Sequence, residues 1–558
     1  MPASPGRATA VRPPGFRGVF RDDADARAVY AEAAGIQSIW PTAVAVPADV
    51  ADACTLVQWA HDTRTPLVPR GAGTSMAGGA IGPGVIADLS ALRDMGPVDA
   101  DRRRMLVGPG ALRGDVDAAA GACGLRFPVD PSSGAFCTIG GMASTNAAGA
   151  HSLKYGSMRP WVTALDCIFD DGTRAVIRRG QPAPDHVPAV TRFLADVAPA
   201  IRAADPAALA HRDVRKDSSG YALTAYARGG ELVDLLVGSE GTLALFAGVE
   251  LALTPRPIAT ASLLAAFPAL DAAVRGAGVA REAGASACEL LDRTFLDFVR
   301  DAADAGSLTA RLPATTDAVL MIEVEADAPD RAGTAAADLA RAMTASGAAH
   351  VELALDADAE AVLWELRHAA SPVLARLDPA LKSMQIIEDG AVPPDRLAEY
   401  VRGVRAALAR QGMRGAIFGH AGDAHIHVNP LVDVRDPAWR GKVRALLDEV
   451  TALTTRLGGT LTGEHGDGRL RTPLLPLVWR GSDGPALRLF RAVKAAFDPR
   501  GILNPGVKIA APDAPILGDI KYDPALATLP PRARHALDWV GDERAYATSR
   551  LALLDRGR

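Results

Sequence analysis

The sequence predicts an α+β fold in two units, the first organised by glycine-rich loops. Three observations carry this. Strands and helices alternate from about residue 41, three long glycine-rich runs fall before residue 257, and the text changes character after TPRP at 254–257. A chain of 558 residues is long enough for two to four domains with cores of their own.

Composition narrows the classes. The chain is 49% hydrophobic and 22% charged, ordinary globular values. A net charge of -5 gives no electrostatic case for nucleic acid or an anionic membrane. The five cysteines, at 54, 123, 137, 167 and 288, form no CxxC. That excludes a disulfide framework, a zinc ribbon and a cysteine-ligated iron–sulfur cluster within the chain, and fits a reducing cytoplasm. The first residues are basic, with no acid before Asp22, and lack the apolar stretch of a secretory signal. They read as a disordered tail. No apolar run reaches the roughly 18 residues that span a bilayer.

Along the chain, 50–64 has helical periodicity, TPLVPR (65–70) reads as a strand, GAGTSMAGGAIGPG (71–84) as a loop and GVIADLS (84–90) as a strand. A dinucleotide fingerprint needs glycine at 76, where Met76 stands, and needs a helix after the loop. The next strand begins too soon for one. A strand–loop–strand arrangement can still present successive backbone N–H groups to an anion. The second run, PVDPSSGAFCTIGGMASTNAAGAHSLKYG (128–156), and the third, LVGSEGTLALF (236–246), point to one large phosphate-bearing ligand. Past 257 a strand-then-helix pattern begins with ATASLLAAFPALDAAVRGA. DAVLMIEVEA (317–326) is a strand, and helices are expected at about 330–346, 358–377, 437–457 and 485–497. Residues past about 510, rich in proline and arginine, read as a loosely attached tail ending in an amphipathic surface helix.

FGHAGDAHIHVNP (418–430) holds three of the eleven histidines, and His465 follows in TGEHGDGR. On a strand His425 and His427 share one face, with Ile426 and Val428 opposite. The Gly–Asp turn lets His420 bend back towards His427. Glu464 would add one oxygen to two nitrogens and leave positions open, as a catalytic metal requires. Imidazole with carboxylate suits zinc, manganese or iron. The plainer reading is a set of satisfied polar residues in loops.

PRGAGTSMAGGA, TIGGMASTNAAGAHSLKYG and VGSEGTL resemble the PCMH-type FAD-binding domain of the vanillyl-alcohol oxidase superfamily, over about 38–257. The resemblance implies FAD contacts at Arg70, Gly71, Ala72, Gly73, Thr74 and Ser75, at Thr138, Gly141, Ser144 and Asn146, and at Gly241. Thr74 and Ser75 stand where members with covalent flavin often carry histidine, which implies non-covalent FAD. GHAGDAHIHVNP and GEHGDGR resemble the paired motifs of the C-terminal cap domain, an antiparallel sheet with helices, of FAD-linked 2-hydroxyacid dehydrogenases. That domain would cover 258–508, between a 1–37 extension plus the FAD domain and a 509–558 tail. The resemblance implies a divalent ion, zinc or manganese, on His420, His427 and Glu464, with Asn429 also matching and His465 as base. It puts Arg367, Ser371 and Lys382 on the substrate carboxylate, and Asn504 of FDPRGILNPGVK near the flavin. The family commonly reads GHxGDGNxHxN, so Ala424 and His425 depart from it; His425 is expected to support the ligands rather than bind the ion.

The implied activity is oxidation of a D-2-hydroxyacid, D-lactate first and D-2-hydroxyglutarate or glycolate as alternatives. Hydride would pass to flavin and electrons to an external quinone, cytochrome or iron–sulfur protein. A contrasting reading is a non-catalytic flavin-binding subunit paired with an iron–sulfur partner. The expected location is cytoplasmic, with peripheral membrane attachment as the alternative.

Overall fold

Short apolar runs without polar alternation need cover on both faces, and three of them build the first sheet. The computed structural model describes residues 10–302, 311–368, 380–479 and 481–555. Strand β1 (Val19–Arg21) pairs antiparallel with β2 (Ala43–Val46); β2 and β3 (Leu67–Arg70) flank β4 (Val85–Asp88) in parallel. Helix Val50–Thr63 covers one face with Leu56, Val57 and Ala60. Asp49 caps its first turn, and Arg64, at φ 55, ends it. Parallel neighbours are ordinarily joined through a helix. Here residues 71–84 join β3 to β4 with no helix, so the loop stays at the sheet's end.

A second, antiparallel sheet has the order β5 (Arg104–Val107), β9 (Leu245–Ala252), β7 (Val162–Ile168), β8 (Arg174–Arg178). A two-residue ribbon, β6 (Leu125–Arg126) with β10 (Thr254–Pro255), lies where the chain leaves this unit. The cap follows as an eight-stranded antiparallel sheet. Its strands are β11 (Ala259–Phe267), β12 (Ala287–Asp292), β13 (Ala318–Ala326), β14 (His350–Ala354), β15 (Leu381–Ser383), β16 (Gly390–Ala391), β17 (Arg414–His420) and β18 (His425–Asp433). The order is β14-β11-β13-β12-β17-β18-β15, with β16 also on β18. Helices Leu270–Glu282, Pro329–Ala345, Leu397–Arg410 and Trp439–Arg456 contribute buried apolar faces to the main core. The helix expected at 358–377 is seen as Ala357–His368; its remainder lies outside the described residues.

One expectation is corrected. The C-terminal segment is not loosely attached but folded onto the first sheet. Its helices are Pro531–Asp542 and Arg550–Asp555. Leu529, Ala533, Ala536, Val540, Leu553 and Leu554 close over Ala28, Val29, Tyr30, Val44, Val68 and Ile86. The reason is the second face of the β2–β4–β3 layer, which is apolar and which the segment buries. Arg534 pairs with Glu32 at 2.7 Å, and Arg550 Nη2 donates to the Ala72 carbonyl at 3.3 Å. Among the described residues no helix is long and apolar enough to cross a membrane.

Leu554 is 1% exposed. Leu554→Ala is expected to cost about 2–5 kcal/mol, the range for emptying a leucine site in a packed core. Chemical denaturation measures it, and a loss below about 1 kcal/mol would mean the segment is not part of the core.

Candidate active site

The three glycine-rich runs converge on one cavity. Gly71 to Ser75, Thr138, Gly141, Ser144 and Gly241 line it, and so do Glu464 and His465 from the cap's side of the chain. Glycine is required by close approach: a Cβ on Gly71 would lie 2.1 Å from Thr138 Oγ1, and one on Gly241, at φ +69, 2.2 Å from Pro69 Cγ. Thr138 caps helix Ile139–Thr145. Ser75 Oγ is buried with no hydrogen-bond partner among the described residues. A narrow backbone cradle with an orphaned hydroxyl in its loop suits a phosphate-bearing cofactor. Arg70 lines the cavity, but its guanidinium turns away, donating to the carbonyls of Tyr30 (3.2 Å) and Glu32 (2.9 Å). Asn146 and Asn504, expected to touch the cofactor, are not in the lining. Asn146 ends the helix in the left-handed region and accepts from Arg159 N. Asn504 Nδ2 ties Gly79 O to Glu240 O, holding the first and third loops together.

At the cavity's cap end, the histidine stretch forms two strands. Residues Ala421–Asp423 turn the chain, and Ala424 completes the turn at φ 54. That is the position where the common pattern has glycine, and where a Cβ is strained. The hairpin sets His420 opposite His425 and Phe418 opposite His427. Nε2 of His420 and Nε2 of His427 lie 3.4 Å apart, and Glu464 Oε1 lies 3.3 Å from the first and 3.4 Å from the second. Each outer atom is engaged elsewhere. His420 Nδ1 meets Glu289 Oε1 at 2.6 Å, His427 Nδ1 donates to the Glu388 carbonyl at 2.8 Å, and Glu464 Oε2 accepts from Lys216 Nζ at 2.7 Å. Inner atoms are thereby left facing one another, the arrangement that orients metal ligands.

Electrostatics agree. Burial, outweighing the Glu464 carboxylate and helped by the neighbouring His465 and His420, brings His427 down to about 4, so it is neutral. Burial favours a protonated Glu464, but Lys216 and His420 outweigh it and hold the carboxyl well below its usual range. Burial disfavours charge on His420 as well, yet Glu289 opposite raises its pKa. His425 is fully buried and driven well below the usual imidazole range by desolvation. Its Nε2 meets Asp389 Oδ1 at 2.8 Å. Asp389 also accepts from the backbone N–H groups of Glu464 and His465. His465 Nδ1 lies 2.6 Å from Glu388 Oε2.

Sequence reasoning missed Glu289, Glu388, Asp389, Lys216 and Arg471. A signal existed: Glu289 interrupts ACELLD and Glu388–Asp389 interrupt IIEDGAV, and an acid inside an apolar strand requires a buried partner. Arg367, expected on a carboxylate, donates from Nε to Glu289 Oε2 at 2.8 Å and lies over the Phe418 ring. Lys382 pairs with Val432 in the β15–β18 register, and its Nζ lies 5.6 Å from the centre of the Tyr522 ring. Ser371 lies outside the described residues. Asn429 shares the His427 face, and its Oδ1 is buried without a partner among the described residues.

The glycine-rich cradle, and the separate antiparallel cap that brings imidazoles and a carboxylate to its end, fall within two flavoprotein domain families. Residues 41–178 match the FAD binding domain family and 256–507 the FAD linked oxidases, C-terminal domain family. The chain is 31% identical over 501 residues to glycolate oxidase subunit GlcD of Bacillus subtilis, covering 89% of this chain and 94% of that one. It is 29% identical over 530 residues to D-2-hydroxyglutarate dehydrogenase of Pseudomonas putida, covering 90% of this chain and 51% of that one. It is 28% identical over 468 residues to D-lactate dehydrogenase of Archaeoglobus fulgidus, covering 83% and 90%. Among solved structures, 4-ethylphenol oxidase from Gulosibacter chungangensis shares the fold, with a TM-score of 0.61, 15% identity and coverage of 88% and 94%. The chain belongs to the family of FAD-linked 2-hydroxyacid dehydrogenases.

Gly71→Ala is expected to lower bound FAD at least tenfold, because its Cβ would collide with Thr138 at the cradle. The ratio of 450 to 280 nm absorbance after gel filtration measures this, and a wild-type ratio would remove the loop from the cofactor site.

Proposed function

We propose that the protein oxidises a small D-2-hydroxyacid, D-lactate in the first place, to the 2-oxoacid. The observation that carries the reading is the triangle of His420 Nε2, His427 Nε2 and Glu464 Oε1, with sides of 3.3 to 3.4 Å, at the end of the FAD cavity. Tetrahedral ligands about 2.0–2.1 Å from one ion stand about 3.3–3.4 Å apart, which favours zinc and keeps manganese as the alternative. Three protein ligands leave a position for the substrate hydroxyl. A divalent ion there would lower that hydroxyl's pKa. FAD, when bound, is the two-electron acceptor. Thr74 and Ser75 in the cradle offer no imidazole for a covalent link, so it is held non-covalently.

His465 takes the hydroxyl proton; a positioned base contributes roughly 10²–10⁴-fold. Arg367 is the candidate for the substrate carboxylate, a planar match for a guanidinium, and Asn429 for a donor group on the substrate. The relatives' names support the substrate class and differ on its member, so D-2-hydroxyglutarate and glycolate stand as alternatives. Electrons then pass to an external quinone, cytochrome or iron–sulfur protein. The Bacillus relative is named a subunit, which supports a protein partner.

Anaerobic bleaching of the flavin by D-lactate, L-lactate, D-2-hydroxyglutarate and glycolate tests this, with D-lactate expected fastest. Bleaching by none of them would favour the non-catalytic subunit. Treatment with a chelator is expected to slow bleaching at least 100-fold with FAD retained, and zinc or manganese to restore it. His427→Ala should lose the ion and the activity together, while His425→Asn should keep both, as elemental analysis beside stopped-flow would show. The reverse pattern would overturn the ligand assignment.

A further inference from the structure

We infer that Glu388 is the positioning residue that makes His465 a base, an inference that rests on the proposed proton-accepting role of His465. Glu388 and Arg471 are each 1% exposed. One carboxylate oxygen meets His465 Nδ1 at 2.6 Å, and the other accepts from Arg471 Nη2. Arg471 also donates to the Gly466 carbonyl at 2.7 Å and reaches Asp389 at 3.3 Å, so its guanidinium is fixed in place. A buried carboxylate is costly unless paired. With Arg471 donating to one oxygen, Glu388 offers its other oxygen as an acceptor. His465 must then donate from Nδ1, which leaves the lone pair on Nε2.

Two further contacts set the ring. It stacks on His427, centroids 5.2 Å apart and planes at 15°, and its backbone N–H donates to Asp389 at 3.0 Å. The side chain is 24% exposed and lines the FAD cavity, while its neighbours Glu388 and Asp389 are sealed. In the reaction the substrate O–H breaks and an N–H forms on His465 Nε2. The freed oxygen pair makes the carbonyl as the Cα hydrogen leaves with its electron pair to FAD. His465 then carries a positive charge, and Glu388 stands against it. The carboxylate–imidazole pair of serine proteases works by the same logic, where removing the carboxylate's charge costs about 10⁴ in kcat.

The test is a double-mutant cycle read by anaerobic flavin bleaching. Glu388→Gln keeps the volume and removes the charge. It is expected to slow flavin reduction at least 100-fold, with FAD and metal content unchanged and half-saturating substrate within about twofold. In a His465→Ala background the same change should cost less than twofold, because the group it acts through is gone. Glu388→Asp, which keeps the charge, should recover at least tenfold over Glu388→Gln. Wild-type rates for Glu388→Gln, or an equal loss in both backgrounds, would overturn the inference and leave Glu388 as packing. Should Glu388→Gln shed FAD, the cycle is run with Glu388→Asp, and additivity with His465→Ala would overturn it equally. Separately, a His465→Ala enzyme as fast as wild type would remove the base itself, and with it this role for Glu388.

Discussion

The carboxylate of Glu464 is 7% exposed, and the arrangement of the site depends on how that charge is held. Lys216, from the FAD-binding side of the chain, takes one oxygen; His420 and His427, from the cap sheet, face the other. A buried ion left unpaired costs several kcal/mol, so the two units are obliged to meet at this residue. The cap is therefore registered against the cofactor cavity by charge as well as by apolar contact, and the register places imidazole nitrogens at the cavity's end.

The same logic repeats one step further along the chain. Glu240 of the third glycine loop accepts from the backbone N–H groups of Asp467 and Gly468. Lys508 Nζ lies 3.0 Å from Glu240 and 2.9 Å from Asp467, and donates to Ser218 O. Gly466 follows from this packing, since a Cβ there would lie within 3 Å of the Glu240 carboxylate. The loop that carries Glu464 and His465 is thus clamped to the loop that lines the flavin cavity. A second ionic seam joins the two units where His151 meets Asp130 at 2.5 Å and Glu323 of β13 at 2.8 Å. Burial opposes charge on His151, but the two carboxylates outweigh it and raise its pKa to about 11, so the seam carries an imidazolium.

Two departures from the common family pattern find a physical account. Ala424 sits in the left-handed region, where an L-residue costs roughly 1–2 kcal/mol relative to glycine. The turn tolerates it because hairpin pairing on both sides fixes the backbone. His425 fills the space left by Gly463, whose Cβ would meet His425 Nε2 at 2.5 Å, and it reaches Asp389. Asp389 in turn holds the backbone of Glu464 and His465. The extra imidazole is thereby committed to the frame around His420, His427 and Glu464.

The sequence alone determined the glycine loops, the absence of a Rossmann helix after the first of them, the cap strands and the shared face of His425 and His427. These are local matters: backbone freedom at glycine, strand period and chain length between elements. It also pointed to His420, His427 and Glu464, through motif resemblance. It misjudged the C-terminal segment, because a proline- and arginine-rich composition says nothing about an uncovered sheet face at the other end of the chain. It left out Glu289, Glu388, Lys216 and Arg471, each far in sequence from the group it holds. Which atom of an imidazole faces the cavity depends on what grips its other nitrogen, and those grips come from β12 and from the segment between β15 and β16. Only the tertiary structure brings such partners together, because a buried charge selects its counterion by position in space and not by distance along the chain.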